Sequence, residues 1–163
     1  RVKQQHAAEL FGVAQSSISR WENGRQTMEP AERVRLEQLL AANLSAAADQ
    51  ALARLVNDSP RAVHLVCDLT HRLLACSATR AGQFGVPLSE LLGQSLWGFC
   101  TEEIVRKEAA LDDLGWREVL APPSLEFFSG HNDSAIVPIA PSQCRWTRLN
   151  LSDGNAVRLV ETL

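Results

Sequence analysis

Two short helical segments hinged on a glycine, all within the first 25 residues, constrain this chain more than any other feature of it. Lys3–Phe11 places Ala7, Leu10 and Phe11 on one side of a helix. Gly12 ends that helix, because glycine reaches left-handed backbone geometry without strain. Val13 turns inward, and Gln15–Glu22 forms a second helix. Its buried face is Ile18 and Trp21, with Glu22 at the edge, and its open face is Gln15, Ser16, Ser19 and Arg20. Asn23-Gly24 is a strong stop. A third helical segment begins near Pro30, a residue suited to a first helical position, and carries Val34, Leu36, Leu39 and Leu40.

The helical pattern resumes through Leu44, Ala47, Ala48, Ala51, Leu52, Leu55 and Val56, an alanine-rich stretch with one apolar stripe. A lone amphipathic helix must bury such a stripe, either on the following domain or on a partner chain; the partner is the favoured expectation. Asn57-Asp-Ser-Pro60 breaks the helix and marks a boundary. Beyond it, Ala62–Cys67 and Arg72–Cys76 flank Asp68-Leu-Thr-His71 as a β-hairpin. Helical pieces follow at Thr79–Phe84, Ser89–Leu92 and Thr101–Leu114, the last opened by a Thr cap and an acidic first turn. Strands are expected near 117–120, 125–129, 143–151 and 155–162, with Asp153-Gly154 as the turn signal between the last two. Ser129–Ser142 is long for a strand connection and is expected to form an extra strand or a lid. The element order predicts an α-helical head and an α+β domain with one antiparallel sheet and helices on one face.

The charge balance says little about partners. The net charge of the 163 residues is -3; residues 1–40 hold six Lys/Arg against five Asp/Glu and the remainder ten against fourteen, giving +1 and -4. A small DNA-binding head works with few positive charges, since helix N-termini and neutral amides also contact phosphates. Cys67, Cys76, Cys100 and Cys144 form no C-x-x-C pair, so they are expected to be reduced thiols, some of them in the core, rather than metal ligands. No apolar run approaches the ~18 residues of a membrane span and no secretory signal opens the chain, so a cytoplasmic protein without a membrane partner is expected.

Lys3–Arg25 resembles the Cro/repressor-type (XRE) helix-turn-helix family at Gln4, Ala8, Leu10, Gly12, Val13, Gln15, Ile18, Ser19, Trp21, Glu22 and Gly24, all at the family's spacing. The resemblance implies a bacterial-type transcription regulator whose second helix projects its N-terminal end into the major groove of double-stranded DNA. Gln15 would pair bidentately with adenine. Ser16, Ser17 and Ser19 offer short donors and acceptors, and Gln4, Arg20, Asn23 and Arg25 would reach phosphate oxygens. Ser17 also has the plainer reading of a residue facing the neighbouring helix, Arg25 that of a solvated charge, and Glu22 that of a structural hydrogen-bonding residue. The family's first helix has no counterpart here, and the chain opens on Arg1, so it is expected to be a piece of a longer protein.

Residues 61–163 resemble a PAS sensor domain by element order and by Val66-Cys-Asp68, Leu73-Leu-Ala-Cys-Ser77, Phe84-Gly85 and Leu88–Trp97. Position 77 departs from the family, which usually carries Asn nearby. The resemblance implies an internal pocket for a small molecule, or a dimerisation module. Trp97, Phe99, Trp116 and Trp146, with Phe127 and Phe128, are the pocket candidates, though aromatics at such places are more often plain core. The cofactor is left unknown. Photoactive flavin–cysteine chemistry would need Asn-Cys-Arg on the helix after the helical cluster, whereas the Cys144-Arg145 pair falls on a late strand. Haem is disfavoured because Thr101–Leu114 holds no His, Cys or Met. His64, His71 and His131 each have an ordinary surface or satisfied reading.

These readings divide the chain into a helix-turn-helix head at 1–42 with its first helix missing, a connector or dimerisation helix at 43–58, and a PAS-like sensor at 59–163. They anticipate a dimeric, sequence-specific DNA-binding regulator. The alternative is a non-enzymatic protein-interaction or signalling module whose head binds no DNA. With no nucleophile–base pair, phosphate loop, paired carboxylate motif or metal spacing in the sequence, an enzyme is not expected.

Overall fold

A computed structural model describes residues 4–33, 36, 42–117 and 122–163. The chain divides into two compact units, residues 1–40 and 41–163. Val34, Leu39 and Leu40 of the expected third helix lie outside the described residues, as does the expected strand at 117–120 apart from Arg117, which sits in a turn.

In the first unit, helices α1 (Gln4–Phe11) and α2 (Gln15–Glu22) are joined by three residues. Gly12 takes a φ of +64°, and the Val13 N–H donates to the Ala8 carbonyl at 3.0 Å. This satisfies one of the carbonyls a helix C-terminus leaves open. Ala8 and Ile18 are buried, and the Phe11 and Trp21 rings meet edge to face with centroids 6.4 Å apart. Glu22 is exposed rather than at the edge of the buried face; its carboxylate stays in water and accepts the Gln4 amide at 2.5 Å. Residues 30–33 are helical, beginning at Pro30.

The second unit opens with α3 (Ala47–Asn57), followed by β1 (Val63–Cys67), β2 (Leu73–Cys76), α4 (Ala78–Ala81), α5 (Leu88–Leu91), a 3-10 turn at Trp97–Phe99, α6 (Glu102–Ala109), β3 (Leu125–Phe128), β4 (Gln143–Asn150) and β5 (Ala156–Thr162). The strands form one sheet in the order β2-β1-β5-β4-β3, and every neighbouring pair is antiparallel. The β4–β5 turn is closed by Gly154 at φ +84° and by the Asn155 N–H on the Asp153 carboxylate at 2.9 Å.

Successive side chains on a strand point to opposite faces, and here both faces are covered. Val63, Leu65, Cys67 and Val157 form one cluster with Val56 of α3, against which Leu52 and Ala53 also pack. Val66, Leu73 and Cys76 form another with Phe84, Leu91 and Leu96 from the helical segments after β2. The β1–β2 register steps from Leu65↔Ala75 to Val66↔Leu73, leaving Leu74 as an extra residue. That bulge lets Leu73 and Cys76, three apart, serve the same cluster.

The helical segments after β2 keep to one face of the sheet, and the other face is covered by α3, from the segment expected to be a connector. The strands are apolar in both parities, so each face needs a cover, and α3 supplies the second. This packing also bears on the target of the α3 stripe. Leu52 and Val56 of the stripe, with Leu44 before the helix and Ala53 beside them, pack on their own sheet, while Ala47, Ala48 and Leu55 are exposed, Leu55 to 73 %. Burying a residue such as Val56, 4 % exposed, is worth ~1.5–3 kcal/mol. Asn57 accepts the Cys76 N–H at 3.1 Å. Asp49, buried near the start of α3, accepts the Ser152 N–H at 3.0 Å and its hydroxyl at 2.9 Å.

Two expected elements differ in extent. The Thr101 hydroxyl accepts the Ile104 N–H at 3.2 Å as a cap, but α6 ends at Ala109 rather than 114. The chain then winds through turns to Gly115, at φ +65°, which lets Leu111 and Trp116 both enter the core. Residues 129–142 form no strand. No helix among the described residues is long and apolar enough to cross a membrane.

Candidate functional site

The face of the sheet opposite α3 does not close completely on its helices. A cavity of about 320 Å³ remains, walled by His64 and Val66 of β1, Cys144 and Trp146 of β4, and Arg158, Val160 and Thr162 of β5. Arg80, Leu96, Phe99, Ile104 and Glu108 reach it from the helical side, and Val137–Ala140 close it from the 129–142 loop. The strand contributors alternate in sequence, as residues sharing one sheet face must.

The loop is pinned rather than free. The Asn132 amide donates to the carbonyls of Phe99 and Val137, at 2.6 and 3.0 Å, and its oxygen accepts the Ile139 N–H at 2.8 Å. The Gly85 N–H bonds the Ile136 carbonyl at 3.0 Å. A Cβ on Gly85 would lie 1.7 Å from the Ala135 carbonyl oxygen, so the loop crosses here only because residue 85 has no side chain.

One pole of the cavity is a matched ion cluster. Arg158, 1 % exposed, places its Nη2 2.6 Å from Asp68 Oδ1 and its Nη1 2.5 Å from Glu108 Oε2. The guanidinium lies 4.2 Å from the Trp146 ring centroid. Arg117 reaches Glu108 at 3.0 Å and His71 Nε2 lies 3.5 Å from it. Burial would raise the Glu108 carboxyl, but the nearby His71 ring, the Arg158 hydrogen bonds and the Arg158 charge override it and hold the group at about 2.

The other pole is Arg80, a buried residue. Its Nη1 donates to Gln83 Oε1 at 2.7 Å and to the Pro138 carbonyl at 3.3 Å, and its guanidinium lies 4.8 Å from the Phe84 ring centroid. Among the described residues it has no carboxylate partner. Burial pulls its pKa below the ordinary arginine value. His64 is held at about 3 by burial first and the Arg80 charge second; its Nδ1 is buried without a hydrogen-bond partner. Burial pushes the cavity thiols up, Cys100 to about 11 and Cys144 to about 12, so both are neutral and poor nucleophiles. Among the described residues no cluster of three His, Cys, Asp or Glu could hold a metal ion.

Of the expected pocket aromatics, Phe99 and Trp146 line the cavity and Trp97 and Trp116 do not. Trp116, 1 % exposed, is drawn into the core because its indole N–H has a buried acceptor in the Asp68 carboxylate, at 3.2 Å. Trp97 is 39 % exposed and packs on His71, centroids 4.7 Å apart. Phe127 packs edge to face on Trp146 at 4.6 Å, and Phe128 is exposed. His64 and His71, given ordinary readings from sequence, both line the cavity, while His131 is exposed. Arg80, Glu108 and Arg158 were not anticipated. Arg158 had a signal: a charge amid Ala156-Val-Arg-Leu-Val160, at the parity of Val160. Arg80 had none.

In the first unit, Gln15, Ser16, Arg20, Asn23 and Arg25 are exposed, and Gln4, Ser17 and Ser19 are half-buried. Three of these eight have side chains already engaged: Gln4 with Glu22, Asn23, whose amide donates to the Ser19 carbonyl at 2.8 Å, and Ser19, whose hydroxyl accepts the same amide at 3.4 Å.

No protein-family model matches the chain, and no curated protein matches it. Solved structures do. The PAS domain of an HTR-like protein from Haloarcula marismortui is 17% identical, covering 83% of this chain and 98% of that one, with a TM-score of 0.51. A PAS domain from a two-component sensor histidine kinase is 14% identical over 70% of this chain and 93% of that one, TM-score 0.46. One from Desulfitobacterium hafniense is 13% identical over 68% and 99%, TM-score 0.46. At such identities a likeness speaks to fold alone, and the first agrees with the antiparallel five-stranded sheet and its helices: the second unit has a PAS-like α+β fold.

Proposed function

We propose that the protein is a ligand-responsive transcription regulator: the PAS-like unit binds a small molecule in its cavity, and the first unit reads double-stranded DNA, most effectively as a dimer. The observation that carries this reading is the cavity itself. A chain that only needed a stable core would fill such a space, since interiors pack to the density of organic crystals. Here about 320 Å³ stays unfilled between apolar walls with a few convergent polar groups, the usual character of a ligand site. The DNA-reading half is supported by the spacing of Gln4–Gly24 and by α2, which buries Ile18 and leaves Gln15, Ser16 and Arg20 exposed. No catalytic role is assigned to the neutral thiols.

A second reading, an interaction module whose head binds no DNA, is favoured by the near-neutral charge of residues 1–40 and by the prior engagement of Gln4 and Asn23. Fluorescence anisotropy of the full chain against genomic fragments at two salt concentrations separates the two. DNA reading gives binding that weakens steeply with salt, and Gln15→Ala lowers discrimination by ~1–3 kcal/mol at one base pair per half-site. A two-fold dimer predicts half-sites ~34 Å apart. Binding absent at both salts, or base preference unchanged by Gln15→Ala, removes the DNA reading.

A further inference from the structure

We propose that the cavity takes a small organic monoacid, its carboxylate seated on Arg80 and its apolar body lying toward Trp146 and Val160. This rests on the ligand-binding reading above and adds the chemical class. Both arginines of the cavity wall are buried, but only one is neutralised within the protein. Arg158 is shared between Asp68 and Glu108 and has no charge left to offer. Arg80 spends Nη1 on Gln83 and the Pro138 carbonyl; its Nε and Nη2 make no hydrogen bond among the described residues. A guanidinium offers five N–H donors in a planar fork, and the unused edge is the one that pairs bidentately with a carboxylate.

His64 is the independent observation. It lines the same cavity, and its buried Nδ1 lacks a partner, although buried polar atoms are nearly always satisfied. An acid headgroup supplies what both groups lack. The rest of the wall sets the other limits. Among the described residues that line the cavity Arg80 is the one unmatched cation and Glu108 the one carboxylate, so a diacid finds no second cation for its second group. Val66, Leu96, Val137 and Val160 demand an apolar body. The volume, about 320 Å³, sits at the small end of ligand cavities, ~300–1,000 Å³.

The test is calorimetric titration of the full chain with octanoate and phenylacetate and with their neutral isosteres octanamide and phenylacetamide, alongside thermal melts. The expected result is that at least one acid binds ~10- to 100-fold more tightly than its amide, the range of a charge-assisted hydrogen bond. Arg80→Gln should erase that preference while amide binding persists; Arg80→Lys, which keeps the charge but not the fork, should retain part of it and covers the case in which Arg80→Gln melts early. Equal binding of acid and amide, or a preference that survives Arg80→Gln, overturns the monoacid assignment and leaves the cavity as a ligand site. If none of the four compounds binds the folded protein, the monoacid assignment falls, and a thermal-shift screen of neutral and cationic small molecules, in which no compound raises the melting temperature, is what would overturn the ligand-binding reading.

Discussion

Two arginines stand in the wall of one cavity under opposite conditions. Arg158 is enclosed by Asp68 and Glu108, lies over Trp146, and is part of what holds β5 to β1 and α6. Arg80 is nearly as deep, yet is met by an amide, a carbonyl and a phenyl ring. The difference teaches that depth alone does not say what a buried charge is for. Its counter-charge does: supplied by the protein, it makes a structural joint, and left out, it makes a vacancy for something from solution.

The contrast breaks most visibly on stability. Arg158→Met takes the guanidinium from the buried Asp68, which keeps the Trp116 indole N–H, and from Glu108, which keeps Arg117; it is expected to cost ~3 kcal/mol in urea unfolding, the low end of the penalty for removing one partner of a buried pair. A loss below ~1 kcal/mol would show that the cluster is not the joint described here.

Acid should separate the two poles next. His64 is neutral in the fold down to about 3 and ordinarily titrates at 6.5. Between those values the unfolded chain binds the extra proton and the native state does not, so stability falls as pH drops below 6.5. Glu108 has a folded value of about 2 against an ordinary 4.5; its contribution is complete above 4.5 and is lost as pH falls from there toward 2. His64→Gln is therefore expected to flatten the upper limb of stability against pH, and Glu108→Gln the lower. A single limb unaffected by His64→Gln would place the His64 ring in water.

The smallest effect is expected at Arg80 itself. Without ligand, Arg80→Gln removes an unmatched buried cation together with its contacts to Phe84 and Pro138, terms that oppose one another, and stability should change by less than ~1 kcal/mol. A loss as large as that of Arg158→Met would make Arg80 a structural residue too.

The sequence exposed what short-range rules govern. Gly12, Asp153-Gly154, the Thr101 cap and the β1–β2 hairpin are local chemistry, and each stands where its residues say. The amphipathic stripe of α3 said that a surface must be covered without saying which, because a helix facing its own sheet and one facing a partner share a pattern. The cavity was half legible. Phe99 and Trp146 stood out as aromatics, but so did Trp97 and Trp116, and what separates them is the Asp68 carboxylate under Trp116, 48 residues away. Arg80 sits on a four-residue helix and becomes a cavity residue only when the chain returns at Pro138, 58 positions later. No window on the sequence contains both ends of that contact.

The extra residue at Leu74 gives β2 a property unlike that of its neighbours. A strand sorts its side chains between two surfaces by odd and even, and one supernumerary residue resets the count midway. Leu74 and Ala75 both serve the α3 side, while Leu73 and Cys76 serve the other. Excising Leu74 therefore leaves Leu73, Ala75 and Cys76 in plain alternation against Val66 and Leu65, and what is lost is one aliphatic under α3 and the local bend. The strand carries one residue more than its ladder counts, and that residue is the position in β2 where a deletion is expected to transpose no neighbour.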